Sequence, residues 1–175
     1  MDRTKRKDIL LRSFAKVAKE RDDVYLFIGG GPDSSPLFKE LDDLKSALPS
    51  LDGRGFLLGF IPEDLLEPLF SIPDIFVSAS EMEGFGMSVS QAAACKVAVV
   101  ASDLIPFATE FSEGASVVVP AGDVDGFTAA IEHLLDNDEE RKSRAEKLYA
   151  VAGQLDWETT SDRFMDWFKK TRPGP

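Results

Sequence analysis

The sequence predicts an α/β fold: a Rossmann-like doubly wound parallel sheet flanked by helices, with further helices at the carboxyl end. Short apolar runs alternate with segments of helical periodicity, which is the pattern of βαβ units. The apolar runs are continuous, as in parallel strands that are buried on both faces. Two glycine-rich turns, after Ile28 and after Ser80, would lie at the carboxyl ends of strands, where ligands of such sheets bind.

The predicted elements follow one another in a regular order. The first helix covers residues 9–19, because apolar residues recur there at helical spacing. Strands are predicted at residues 24–28, 55–60, 74–78, 97–101 and 115–119. Helices are predicted between them at residues 35–48, 62–70 and 86–95, with a helical turn or two at 106–111. Ser34 or Ser35 can cap the second helix, and Pro62 favours the start of the third.

After the last predicted strand the pattern changes to helices alone. Three helical stretches, at residues 124–137, 139–152 and 157–169, follow without a strand between them. In the last of them an aromatic stripe falls near helical spacing and predicts packing rather than a ligand platform; it consists of Trp157, Phe164, Trp167 and Phe168. The final Pro-Gly-Pro, at residues 173–175, is predicted to be a frayed end.

Composition narrows the class of protein. A length of 175 residues predicts one domain, over residues 1–175. The net charge of −11 disfavours a nucleic-acid partner, since phosphate binding needs a positive surface. The single cysteine, Cys95, excludes an internal disulfide and a cysteine-cluster metal site. No apolar run is long enough to span a bilayer and the charged start lacks a signal peptide, so a cytoplasmic protein is expected.

Residues 83–91 form the most informative segment. A strand ends before them, an acidic residue and two glycines form a loop, and a helix begins. The first N–H groups of a helix have no partner within the helix, so this arrangement predicts an anion site suited to a phosphate. Glu83 and Gln91 stand eight positions apart on either side of that turn.

The chain opens on a helix, although the βα pattern predicts a strand first. We therefore expect the sequence to be one part of a larger protein. In a doubly wound order the first strand is central, and its absence would leave an unpaired gap in the sheet. A partner chain or a swapped dimer could fill that gap.

Several short motifs occur together in a fixed order. The set resembles the C-terminal, donor-binding domain of GT-B retaining glycosyltransferases, in the large family that includes sucrose-phosphate synthases and bacterial mannosyl- and glucosyltransferases. The motifs are Ile28-Gly29-Gly30-Gly31-Pro32, Leu58-Gly59-Phe60-Ile61-Pro62, Asp74-Ile75-Phe76-Val77-Ser78, Glu83-Gly84-Phe85-Gly86-Met87, Val99-Val100-Ala101-Ser102 and Val119-Pro120-Ala121-Gly122-Asp123. The resemblance implies one half of a GT-B fold and a UDP-, GDP- or ADP-sugar as the donor, with no cofactor and no catalytic metal.

The resemblance also implies roles for individual residues. Glu83 would act as the catalytic residue and contact the hydroxyls of the donor sugar. The loop backbone would approach the diphosphate and the sugar, through Gly84, Phe85, Gly86 and Met87. Gln91 stands where the family has an acidic residue that binds the ribose hydroxyls, and an amide can still donate and accept there.

The remaining implied donor contacts come from other parts of the chain. Lys5 or Lys7 would pair with the diphosphate, and Arg3 is the candidate for a second cation. Phe60 and Ile61 would lie by the nucleobase. Gly30 belongs to the first glycine turn, which either cradles a phosphate or serves only as a turn.

Two departures from the family keep other functions open. The family's N-terminal acceptor domain has no counterpart in residues 1–175, and Lys96 stands where a glycine is usual. The chain alone is therefore expected to transfer little or no sugar. The alternative is a degenerate, non-catalytic binding or scaffold module. An epimerase of the same fold ranks lower, because His133, the only histidine, lies far from the glycine turns.

Overall fold

The computed structural model describes residues 2–171, and it confirms the α/β class with parallel strands flanked by helices. The predicted frayed end at residues 173–175 lies outside the described residues. The strands are β1 Leu26–Gly29, β2 Gly55–Gly59, β3 Ile75–Ser78, β4 Ala98–Ser102 and β5 Val117–Val119. The helices are α1 Lys7–Glu20, α2 Pro36–Ser46, α3 Leu66–Ser71, α4 Met87–Ala94, α5 Val124–Asp136, α6 Asp138–Ala152 and α7 Trp157–Thr171. Short 3₁₀ turns cover Arg3–Lys5, Pro49–Leu51 and Glu63–Leu65, and a π-helical turn covers Phe107–Phe111.

The strands pair in two separate parallel sheets. Within residues 2–171, β1 pairs only with β2, while β3 pairs with β4 and β4 with β5. No ladder joins β1 to β3 in this part of the chain. Each pairing is parallel, as the βαβ pattern predicts.

The core joins the two sheets through α1. Helix α1 buries an apolar stripe, including Leu11 and Phe14, in a cluster to which Ile28 of β1 and Val77 of β3 also belong. Strand β4 is paired on both edges and is completely buried. Helices α4 and α6 and the side chain of Phe107 complete the second cluster beside it. These two apolar clusters thereby fix the positions of the carboxyl ends of the strands.

One predicted helix differs from the observed structure. Residues 62–70, predicted as one helix, form a 3₁₀ turn followed by α3. Pro68 explains the restart, because proline has no N–H and is tolerated only in the first turn of a helix. Residues 106–111, predicted as a helical turn or two, contain the π-helical turn Phe107–Phe111. The other boundaries shift by one or a few residues at their ends.

The aromatic stripe of α7 lies on the surface of the described structure, and the packing predicted for it stays a prediction. None of the described residues of α7 is buried, and Trp157 is 90% exposed. Periodicity identified the stripe, but it carries no information about which surface would cover it.

Lys96 occupies the turn where the family resemblance leads us to expect glycine. Its φ of 58° lies in the left-handed region, and the turn closes through its N–H to the carbonyl of Ala93. The side chain reaches Glu146 at 3.0 Å and lies over the ring of Tyr149. Lys96 therefore adopts the left-handed conformation that glycine would adopt there, and its backbone is strained.

We expect Lys96→Gly to be more stable than Lys96→Ala by about 1 kcal/mol, because both lose the side-chain contacts and only glycine relieves the left-handed strain. Urea unfolding of the two variants measures the difference. Equal free energies of unfolding would show that the turn holds no strain at this position.

Candidate functional site

The candidate site lies where the carboxyl ends of β1, β3 and β4 meet the amino-terminal turn Arg3–Lys5. Residues 79–86 form the loop that leads from β3 to α4. The glycine turns that follow the parallel strands of both sheets lie at this carboxyl edge, which is the position predicted for a ligand.

Buried hydroxyls fasten the loop to its surroundings. The N–H of Glu81 donates to the carbonyl of Thr4 at 2.7 Å, and the Ser80 hydroxyl also reaches that carbonyl, at 3.2 Å. The hydroxyl of Ser102, at the end of β4, donates to the carbonyl of Ser80. At the far end of the loop, the N–H of Phe107 donates to the carbonyl of Phe85 at 2.8 Å. The loop is therefore held at both ends, which fixes the start of α4.

Gly86 permits the sharp entry into α4. Its φ is 101°, and a Cβ at this position would lie 2.6 Å from Cγ2 of Ile105. Gly86 is the residue before the helix and offers no side-chain cap, while its carbonyl accepts from Val89 and Ser90. The N–H groups of Met87 and Ser88 thus begin an uncapped helix, which favours an anion at this point.

Glu83 and Lys5 form an ion pair at the centre of the site. Lys5 Nζ lies 2.6 Å from Oε1 of Glu83, and the Glu83 side chain is only 14% exposed. The sequence separates these residues by 78 positions, and the fold brings them together. The pair sets one positive and one negative group beside the amino end of α4.

Lys7 is directed to the first glycine turn instead. Its Nζ donates to the carbonyl of Gly29 at 2.6 Å and to that of Gly30 at 2.8 Å. Burial lowers the pKa of Lys7, and the nearby charge of Lys5 lowers it further. Of the two lysines considered for the diphosphate, Lys5 therefore faces the loop and Lys7 fixes the backbone after β1, where Gly30 has a φ of 94°.

Arg3, Phe60 and Ile61 are the other side chains predicted to contact the donor. Arg3 is exposed and pairs with Glu40 at 2.7 Å. Phe60 is 72% exposed, and the side chain of Ile61 packs on Gly29, where an added Cβ would displace its terminal methyl group. Their proposed roles, and that of Arg3, stay predictions.

Two exposed residues of α4 are accessible to a ligand. Met87 and Gln91 are both exposed and are one helical turn apart, so they lie on the same side of the helix. The side chain of Phe85 instead packs edge-on against Phe107 and Phe111. Phe85 can therefore offer a ligand its backbone, while its ring anchors the loop.

Sequence reasoning missed Arg6 and the hydroxyls that fasten the loop. Arg6 has a φ of 44° and binds both Asp8 and Glu81, and the hydrogen bond to Asp8 raises the pKa of Arg6. Arg6, which lies between Lys5 and Lys7 in the sequence, thereby links α1 to the loop at residues 79–86. Ser80 and Ser102 each follow an apolar run, and this position after a strand is the sequence signal that could have identified them. No sequence signal marks an arginine that adopts a left-handed conformation.

Residues 2–171 contain neither a candidate metal cluster nor a candidate membrane-spanning helix. This part of the chain contains no group of three or more His, Cys, Asp or Glu residues placed to hold a metal ion. Among its helices, none combines the length and the apolar character needed to cross a membrane.

Comparison with known proteins gives a consistent result. The model of the family "Glycosyl transferases group 1" matches residues 1–151. The chain is 28% identical over 159 residues to the phosphatidyl-myo-inositol mannosyltransferase of Mycolicibacterium smegmatis, an alignment that covers 90% of this chain and 39% of the relative.

Solved structures share the fold. Anabaena HepE in complex with UDP superposes with a TM-score of 0.85 at 22% identity, over 97% of this chain and 46% of that one. The C-terminal domain of LpcC, a glycosyl transferase group 1 family protein from Francisella tularensis, gives 0.78 at 22% identity, over 89% of this chain and 81% of that one. The chain spans less than half of the mannosyltransferase and of HepE, and most of the LpcC domain.

Proposed function

The chain belongs to the family of glycosyl transferases group 1, and from this membership we propose that residues 1–175 are the donor-binding domain of a retaining glycosyltransferase. The whole enzyme would transfer a hexose from a UDP-, GDP- or ADP-sugar to an acceptor. UDP is the first nucleotide to test, because HepE was solved with it.

The observation that carries this proposal is the uncapped start of α4 beside the Lys5–Glu83 pair. A diphosphate needs positive partial or full charges, which the N–H groups of Met87 and Ser88 and the ammonium of Lys5 supply. The sugar needs an acceptor for its hydroxyls. One oxygen of Glu83 is bound to Lys5, so the other is left to take that role.

The same groups suit the chemical step. When the bond between sugar and diphosphate breaks, negative charge grows on the diphosphate oxygens. Donors already fixed in place stabilise that charge more effectively than water does, because they need no reorganisation. Lys5 and the helix start would supply this stabilisation without a catalytic metal or another cofactor.

The acceptor and the opposite wall of the site would come from an N-terminal domain or from a partner chain. We therefore propose that the chain binds its donor but transfers little sugar when alone. The second candidate, a non-catalytic binding module, is favoured by Gln91 in place of an acid. A module that has lost its donor site would not bind nucleotide.

Thermal unfolding with UDP, GDP, ADP and their sugar conjugates tests the proposal. A ligand at 100 times its dissociation constant stabilises a protein by about 2.7 kcal/mol, which raises Tm by roughly 5–10 °C for a chain of this size. We expect one nucleotide series to give such a shift. No shift from any nucleotide, with a folded chain, would favour the non-catalytic module.

Position 91 allows a specific prediction for the ribose. We expect Gln91→Glu to bind UDP roughly fivefold more tightly, because a carboxylate accepts charge-assisted hydrogen bonds from the ribose hydroxyls. Gln91→Ala, which can form none, serves as the matched control and should bind more weakly. Calorimetric titration measures all three chains, and equal affinities would remove position 91 from the donor site.

A further inference from the structure

Arg6 joins the two segments that carry the proposed donor contacts. Its Nη1 donates to Oε1 of Glu81, in the loop just before Glu83, while its own backbone directly follows Lys5. The N–H of Glu81 donates to the carbonyl of Thr4 at 2.7 Å. The side chain of Arg6 and the backbone of Thr4 therefore attach the amino-terminal turn to the same residue of the loop.

The backbone of Arg6 adopts a conformation that is unfavourable for an arginine. Its φ of 44° and ψ of 46° lie in the left-handed region, which is strained for a residue with a Cβ. Such conformations persist only where the surrounding structure holds them, and they cluster at functional sites. Here the guanidinium is held by Asp8, because its Nε and Nη2 donate to the two carboxylate oxygens at 3.0 and 3.1 Å.

The pair of Arg6 and Glu81 contributes little to the stability of the fold. Their side chains are 28% and 40% exposed, and ion pairs that solvent reaches are weak. The strained backbone of Arg6 offsets part of what the pair contributes. Each of the three guanidinium nitrogens donates to a carboxylate, so Arg6 is already engaged and is not the group that meets a phosphate. Its contacts therefore favour a role in geometry, exerted through a neighbouring residue.

Lys5 is the neighbour whose position depends on this attachment. Its ammonium is carried on a flexible stem of four carbons, so the fixed point of the residue is its backbone in the turn Arg3–Lys5. Glu83 holds that ammonium at 2.6 Å. A diphosphate would compete with Glu83 for the ammonium, because both are anions that accept its hydrogens. The link from Arg6 to Glu81 uses other atoms and would stay intact during that exchange.

We propose that Arg6 is a positioning residue of the donor site. Its pair with Glu81 keeps the amino-terminal turn against the loop, so that the Lys5 ammonium stays within reach of the diphosphate while Glu83 binds the sugar. This proposal rests on the proposed function, because it requires that Lys5 bind the diphosphate. It gives Glu81 an effect opposite to the one its charge alone predicts, since loss of this acidic side chain weakens the binding of an anion.

The sign of the effect at Glu81 is the first test. Glu81→Ala removes a negative charge from the loop that would meet the phosphates, which by electrostatics alone would tighten nucleotide binding. We expect it instead to weaken binding of UDP about fivefold in a calorimetric titration, because the turn that carries Lys5 is released. GDP or ADP replaces UDP if it gives the larger thermal shift. Equal or tighter binding by Glu81→Ala would overturn the proposal.

The second test asks whether Arg6 acts through Lys5. Arg6→Gly removes the guanidinium and relieves the left-handed strain, so its Tm should stay close to that of the unchanged chain. We expect Arg6→Gly to weaken UDP binding about fivefold and Lys5→Ala about 10- to 100-fold, with the double variant no weaker than Lys5→Ala alone. A general loosening of the loop would multiply the two losses instead.

The control and the outcomes separate this proposal from the proposed function. Arg12→Ala removes a positive charge from the exposed side of α1 and should bind UDP as the unchanged chain does. An unchanged chain that binds no nucleotide would overturn the proposed function and the role of Arg6 together. A chain that binds UDP would overturn the role of Arg6 alone if Arg6→Gly bound as tightly, or if its loss multiplied with that of Lys5→Ala.

Discussion

Replacing Gly86 by alanine is expected to lower the free energy of unfolding by about 3 kcal/mol, the sum of left-handed backbone strain and overpacking. The added Cβ would lie 2.6 Å from Ile105, which is completely buried and cannot move aside. The start of α4 would shift with it, so nucleotide binding should be lost even at temperatures where the variant is folded. Urea unfolding and calorimetric titration measure the two effects.

Gly84→Ala is the matched control. Gly84 lies two positions earlier in the same loop, and a Cβ there would meet no atom within 4 Å. We expect its free energy of unfolding to change by less than about 1 kcal/mol. If Gly86→Ala were as stable as Gly84→Ala, the geometry assigned to the entry of α4 would be incorrect.

Replacing Glu83 by alanine is expected to weaken binding of the sugar conjugate by about 10- to 100-fold, because hydrogen bonds to a charged group are lost. Binding of the free nucleoside diphosphate should change little, since Glu83 is proposed to contact the sugar. The fold should lose no more than about 1 kcal/mol, because Lys5 is 40% exposed and its ion pair is screened by solvent. Titration with UDP and with UDP-glucose separates the two contributions.

Glu67→Ala, on the exposed surface of α3, controls for the removal of a negative charge. It should leave both affinities unchanged. A Glu83→Ala variant that binds the conjugate and the free nucleotide as the unchanged chain does would remove Glu83 from the sugar site.

The parallel strands could be predicted because buried strands of this type leave continuous apolar runs, such as that of β4. The loop at residues 83–86 could be predicted because glycine marks the positive φ that Gly86 adopts. A gap between β1 and β3 within residues 2–171 was expected from the sequence only on the condition that a preceding strand lies at the centre of the sheet. Hydrogen-bond partners decide which edges pair, and the apolar pattern does not contain them.

The different contacts of Lys5 and Lys7 could not be predicted from the sequence. Both Lys5 and Lys7 precede the apolar stripe of α1, and the left-handed turn at Arg6 separates their directions, Lys5 toward the loop after β3 and Lys7 toward the end of β1. Side-chain partners such as Glu81 and Glu83 come from distant parts of the chain. The pairing of Arg3 with Glu40 on α2 could not be predicted for the same reason.

The most direct test of the central claim is a titration of the ¹⁵N-labelled chain with UDP, followed by amide chemical shifts. We expect the largest shifts at residues 84–88, where the diphosphate would meet the uncapped start of α4, with smaller ones at Lys5 and Gln91. Shifts centred on another surface, or none at UDP concentrations that saturate related donor sites, would contradict a donor-binding site at this loop.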